Sequence, residues 1–190
     1  MHRLFALVFL FIASVASAKD TPPNIVIILP DDMGYGDPRC YNPKSKNPTP
    51  NIDRLAREGM RFTDAHAPAS FCVPTRYGLM TGRYPHRANL NWRSRAIIAK
   101  GRTTIASVLR EKGYATAMVG KWHLGFDGGP NYDYAKSLAG GPLDRGFDSY
   151  FGIAHSLDIV PYYYISGRKA VHAPTAKIGA RNTEGWSPIQ

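Results

Sequence analysis

The sequence has 190 residues, with 24 Lys plus Arg against 14 Asp plus Glu and a formal charge of +10. At 44% hydrophobic, 20% charged and 12% aromatic it is neither a disordered chain nor a collagen-like repeat, and it predicts a globular fold with room for a core. Two cysteines, Cys40 and Cys72, exclude a disulfide scaffold, while the basic excess raises binding of nucleic acid or of acidic substrates.

The chain opens on Met1-His2-Arg3, then an apolar or small run from Leu4 to Val15, then Ala16-Ser17-Ala18. A basic start, an apolar core and an A-x-A site make residues 1–18 a secretory signal peptide, cleaved after Ala18. The alternative is an uncleaved anchor, but the run falls well short of the roughly 20 residues a spanning helix needs. Residues 1–18 hold one Arg and no acid, so the positive balance belongs to residues 19–190. No later segment is long and apolar enough to cross a membrane. The expected location is secreted or periplasmic.

Asn24 to Leu29 is a continuous β-branched and apolar run, which predicts a strand buried on both faces; Pro30 stops it and Asp31-Asp32 follow. Thr49 to Gly59 predicts a helix: Thr49 as cap, Pro50 in the first turn, Ile52, Leu55 and Ala56 on one face, Gly59 as stop. Met60 to Ala65 reads as a returning strand. Pro74 suits a first helical turn and Gly82 a stop, which places Cys72 at a helix N-terminus. Thr104 to Lys112 repeats the helix pattern, with Ile105, Val108 and Leu109 on one face and Gly113 as stop. Tyr114 to Val119 is the next predicted strand and Phe147 to Ile153 another, with a Gly-, Pro- and Asp-rich loop over 126–146 between them. The pattern fades from Val160 onward. Alternating strands and helices predict an α/β fold with covered sheet faces.

Open α/β sheets place their chemistry beyond the carboxyl ends of strands, and three clusters lie there. Asp31-Asp32 is a hard oxygen pair suited to Ca2+ or Mg2+, although two carboxylates cannot fill a Ca2+ shell of roughly six to eight oxygens; an ordinary acidic turn is the alternative. Cys72, at the positive end of a helix with Arg76 one turn on, is a plausible nucleophile site. A buried thiol, or a disulfide to Cys40, is its alternative. Lys121 and His123 follow a strand two residues apart, so in extended chain they face the same way, as an anion clamp and a proton-transfer group. Solvated basic side chains are the bland reading of that pair.

Together the motifs become specific. Cys72-Val73-Pro74-Thr75-Arg76 followed by Thr81-Gly82-Arg83 resembles the Cys-x-Pro-x-Arg…Thr-Gly-Arg signature of type I sulfatases. Gly113 to Ala117 through Gly120-Lys121-Trp122-His123-Leu124-Gly125 is similar to their second signature, and Asn24 to Asp32, Asp37 and Thr49 to Ala56 to the start of the same domain. The resemblance runs from Asn24 to Ile153 and looks nearest to the arylsulfatase branch. It implies an alkaline phosphatase/sulfatase-like fold, a mostly parallel central sheet with helices on both faces. It also implies a sulfuric ester hydrolase whose cysteine, here Cys72, is oxidised to Cα-formylglycine by a separate maturation enzyme. The hydrated aldehyde is then the nucleophile: one hydroxyl attacks sulfur and the other expels sulfate by C–O cleavage, which a serine could not do. By the same resemblance Asp31, Asp32 and the modified Cys72 bind a divalent cation, usually Ca2+ with Mg2+ as the other candidate. Arg76 holds the formylglycine hydroxylate, Lys121 contacts it and the sulfate, and His123 takes a proton from the second hydroxyl.

Gly152-Ile153-Ala154-His155-Ser156-Leu157-Asp158 is similar to a Gly-Ile-Pro-Tyr-Ser-x-Asp segment near the family's substrate pocket, with Ala154 and His155 replacing Pro and Tyr; His155 and Asp158 are candidate substrate contacts. Nothing from Val160 to Gln190 resembles the family's later metal-binding Asp-Asn pair, later His or later Lys, so His172 and Lys177 receive no role. The expectation is therefore the N-terminal part of a catalytic domain, which by itself binds Ca2+ weakly and hydrolyses little. The expected substrate is a sulfate ester, aryl or carbohydrate. A phosphonate or phosphate ester hydrolase of the same superfamily, or an inactive anion-binding fragment, are the competing readings. Scattered basic residues that follow no nucleic-acid-binding motif argue against DNA or RNA as partner.

Overall fold

The computed structural model describes residues 21–88, 90, 96–128 and 133–175. The signal-peptide reading of residues 1–18 lies outside them. The chain divides into two compact units, with the boundary between Asp31 and Asp32.

In the first unit the described residues, 21–31, form neither strand nor helix. The predicted strand over Asn24–Leu29 is not made, and its apolar side chains are exposed, Val26 at 81%. A run that is apolar on both faces becomes a strand only when neighbours pair its backbone and cover both faces, and among the described residues no strand pairs with it.

The second unit carries three α-helices and a four-stranded sheet. Helix α1 spans Pro50–Glu58, as predicted, yet buries none of its residues; Leu55 is 59% exposed. Thr49 does not cap it by a side-chain bond. Instead the Thr49 hydroxyl accepts from the Arg39 amide (3.0 Å) and donates to Asp53 (3.1 Å), while Asp53 accepts from the Cys40 amide (2.8 Å). The helix start is thus fastened to the preceding loop rather than to a core. Residues 60–65 form no strand, and Met60 and Phe62 are exposed.

Helix α2, Cys72–Thr81, ends at Gly82 and buries Val73, Pro74, Arg76, Tyr77 and Met80. Helix α3, Ile105–Glu111, begins at a capping box. The Thr104 hydroxyl accepts from the Ser107 amide (3.0 Å), and the Ser107 hydroxyl takes the Thr104 amide (2.9 Å). The same Thr104 hydroxyl donates to the Arg145 carbonyl, with Thr104 only 2% exposed. Replacing it by alanine strips a cap and orphans a buried carbonyl, so Thr104→Ala is expected to cost about 1–3 kcal/mol in urea denaturation.

Strand β1 is Ala117–Lys121, β2 Ser149–Ile153, β3 Tyr164–Ser166 and β4 Lys169–Ala170, in the order β1-β2-β3-β4. The α/β class holds, and the sheet is mixed: β1 and β2 are parallel, β2–β3 and β3–β4 antiparallel. Strand β1 starts later than the predicted Tyr114 because the end of α3 continues into a turn, with the Tyr114 amide donating to the Leu109 carbonyl (3.1 Å). Thr116 then aligns the two parallel strands, its amide (2.8 Å) and hydroxyl (2.9 Å) both donating to Asp148.

One sheet face is closed and one is open. Tyr150 and Ile165 point into a core with Tyr77, Met80, Ile98, Ala106, Trp122, Leu124 and Phe126. On the opposite face Val119 is 80% exposed, and the rings of Phe151 and Tyr164 stack on each other 5.7 Å apart. Among the described residues, helices therefore do not cover both faces as the resemblance implies; only the Tyr150 face is packed.

Candidate active site

Cys72 is the first residue of α2, half-buried and a free thiol, as is Cys40. Phe71 enters in extended conformation, and Pro74 sits in the first turn, where the amide it lacks would have had no helical partner. The unpaired amides and dipole of the helix start make a positive end at Cys72. One turn on, Arg76 turns inward: it is 9% exposed and its Nη1 donates to the Lys121 carbonyl at the end of β1 (2.7 Å). This bond brings the cysteine helix and the Lys121–His123 segment to one place.

Past β1 the backbone stays tied to β2. The Trp122 amide donates to Ile153 and the His123 amide to Ala154, both at 3.0 Å. His123 adopts φ +55, a left-handed conformation uncommon outside glycine. The period-two argument for Lys121 and His123 thus fails in its geometry, since the chain is no longer extended at His123. The two side chains nevertheless meet the same loop. Lys121 Nζ donates to the Ser156 hydroxyl (3.0 Å), and the His123 ring lies 6.1 Å from His155 in an edge-on contact. Asp158 belongs to this group: a hydrogen bond from Ser156, and then the charges of Lys121 and His123, hold its carboxyl below the usual range. Ser156 is the residue the sequence reasoning passed over; its signal was its place between His155 and Asp158.

Burial above all, then the positive neighbours Lys121, His155 and Arg76, pulls the His123 imidazole from 6.5 down to about 4, while Asp158 pulls the other way. His155 is lowered too, by burial. His123 is therefore neutral near pH 7, able to accept a proton. The unfolded chain takes up protons below pH 6.5 that the folded one refuses, so stability should fall as pH drops from about 6.5 to about 4, with no contribution above that window. His123→Gln is expected to flatten part of the fall and leave the part due to His155. Urea midpoints measured across that range test this, and an unchanged slope would contradict it.

Asp31 ends the first unit and Asp32 begins the second; both are exposed, and Asp32 takes φ +57, which short carboxylate side chains tolerate better than most. Their oxygens suit a hard cation. Among the described residues no cluster of three or more His, Cys, Asp or Glu side chains could hold a metal ion. The donor type fits a divalent cation; the number of donors does not complete its shell.

A family model for sulfatases matches residues 23–169. The chain belongs to the sulfatase family. Mouse arylsulfatase G is 47% identical over 143 residues, covering 72% of this chain and 25% of its own length. N-acetylgalactosamine-6-O-sulfatase of Bacteroides thetaiotaomicron is 40% identical over 153 residues, 78% of this chain and 30% of its own. A solved structure described under the metabolism of multiple glycosaminoglycans by that bacterium superposes with a TM-score of 0.67 at 39% identity, covering 74% of this chain and 30% of that one. The sulfatase segment described here thus spans about a quarter to a third of the length of these relatives. No helix among its described residues is long and apolar enough to cross a membrane.

Proposed function

We propose that the chain is the front portion of an exported sulfatase that hydrolyses aryl or carbohydrate sulfate esters through Cα-formylglycine made from Cys72. The observation that carries this reading is the bond from Arg76 to the Lys121 carbonyl (2.7 Å), which joins the two signature segments in one buried, basic cluster. Membership of the family and the arylsulfatase and carbohydrate sulfatase relatives support the reaction class.

In this proposal the helix start and Arg76 favour the negative charge carried by the modified Cys72 side chain. Lys121, steadied by Ser156, clamps an oxygen of the sulfate; neutral His123 takes a proton from the diol's second hydroxyl. His155 and Asp158 line the substrate side, where His155 stands in for a tyrosine of the family pattern. A divalent cation, Ca2+ or Mg2+, held in part by Asp31, Asp32 and the modified Cys72, would supply Lewis-acid polarisation of the sulfate. Asp31 and Asp32 do not by themselves complete its shell, so the isolated chain is expected to bind Ca2+ weakly. A separate maturation enzyme is the implied partner, and residues 1–18 a signal peptide removed after Ala18.

The test is mass spectrometry of the Cys72 peptide from chain produced together with a formylglycine-generating enzyme. The expected change replaces sulfur and two hydrogens by one oxygen. An unmodified thiol would leave an inactive anion-binding fragment. Turnover of an aryl sulfate against an aryl phosphonate, in a full-length sulfatase carrying this segment, then separates sulfatase from phosphonate hydrolase.

A further inference from the structure

The carboxyl end of α2 opens onto a cavity of about 460 Å³ whose lining is strongly basic. Arg83 and Arg87 follow the helix, Lys100 and Arg102 come from the turn ahead of α3, and Arg145 comes from the short helical turn Pro142–Arg145; among the described lining residues Asp127 is the one carboxylate. None of the five cations takes part in an ion pair among the described residues. The Arg145 guanidinium is 4% exposed and fixed, its Nε donating to the Ile98 carbonyl (2.8 Å) and Nη1 to the Asp144 carbonyl (3.2 Å). Arg83 reaches back to the Arg87 carbonyl, and the Arg102 amide closes a turn on Ala99 (3.1 Å). A rigid buried arginine thus floors the cavity, with exposed basic side chains at its rim.

Five cations left together in a concave site repel one another unless an anion enters. Arginine forks match the paired oxygens of carboxylate and phosphate, and sulfate presents the same tetrahedral oxygens as phosphate. The volume lies in the range of small-ligand sites, roughly 300–1,000 Å³. Tyr77 is the one aromatic among the described lining residues and is buried, so among the described residues the cavity has no ring platform of the kind on which nucleic-acid bases stack. Cys72 starts α2 and Arg83 lies just past its end, about 15 Å further along the axis at 1.5 Å per residue. We propose that this cavity is a second anion site, separate from the Cys72 site, that holds a sulfate- or carboxylate-bearing sugar of an acidic glycan.

Calorimetry of the whole chain with a sulfated, uronate-containing disaccharide at low salt tests the proposal. Arg87→Ala/Lys100→Ala/Arg102→Ala changes only exposed rim residues and is expected to weaken binding at least about tenfold. Asp127→Asn, which removes the opposing charge without changing shape, should tighten it about threefold. Cys72→Ala/Lys121→Ala, which strips the candidate active site, should leave affinity within about twofold. The proposal is overturned if the disaccharide does not bind, if the Cys72/Lys121 variant loses binding while the rim variant keeps it, or if adenosine monophosphate binds as tightly.

Discussion

Cys72→Ala is expected to lower sulfate-ester turnover by at least about 10³-fold in a full-length sulfatase carrying this segment. The side chain sits at the first position of α2, where the helix dipole and the inward-turned Arg76 lie beside it, and no other thiol shares that place. Alanine removes the proposed nucleophile while keeping a good helix former, so unfolding midpoints should barely move. That contrast separates loss of chemistry from loss of fold. Cys72→Ser makes the finer test: a single hydroxyl can attack sulfur once, yet has no second oxygen with which to expel the product. A burst without steady turnover is the expected trace for serine. Continued turnover by the alanine variant, at anything near the parent rate, would remove Cys72 from the mechanism.

Gly152→Ala is expected to destabilise the chain by at least about 3 kcal/mol. Gly152 lies in register with Gly120 across the parallel pair, and a Cβ there would fall 1.9 Å from the Gly120 carbonyl oxygen and 2.9 Å from its nitrogen. The obstacle is backbone, so no rotamer relieves it; the strands must part. Their separation would also break the bonds from Trp122 and His123 to Ile153 and Ala154, which seat the candidate site. Gly120→Ala is the useful contrast. At φ +108 it is strained, but nothing lies within 4 Å of the added carbon, so a cost of about 1–3 kcal/mol is expected. Urea denaturation of both variants orders the two effects. A Gly152→Ala chain as stable as its parent would contradict the β1–β2 register.

Sequence reasoning located the helices because their boundaries are written locally. Thr49 with Pro50, Pro74 with Gly82, and Thr104 with Gly113 mark helix ends through one or two residues each. Strands depend on what lies beside them. Asn24–Leu29 has the strongest apolar run of residues 19–190 and forms no strand, because among the described residues no strand pairs with it. The β3–β4 hairpin went unseen for the opposite reason: three and two residues are too few to show a period. Its punctuation was nevertheless present in Gly167, at φ +60, in the two-residue turn before Lys169. At the candidate site, residue types were legible and their meeting was not. Arg76 was expected as a charge beside Cys72, while its reach to the Lys121 carbonyl spans 45 residues and depends on packing. Ser156 acquires its place from Lys121 and Asp158, which the sequence alone does not bring together.

That long reach also sets a clock. Tyr77 and Met80 of α2 share a core with Trp122, Leu124 and Tyr150, all made after it during synthesis. Until Lys121 leaves the ribosome, the helix has no Lys121 carbonyl for Arg76 to grip and little core to bury against. At about 5–20 residues per second, 45 residues correspond to roughly 2–9 s. For that interval Cys72 travels on an undocked segment, its side chain open to any reagent that reaches it. Once β1 and β2 pair, the same thiol is half-buried at a fixed helix start. Any chemistry that prepares Cys72 is therefore in a race with the folding that later positions it.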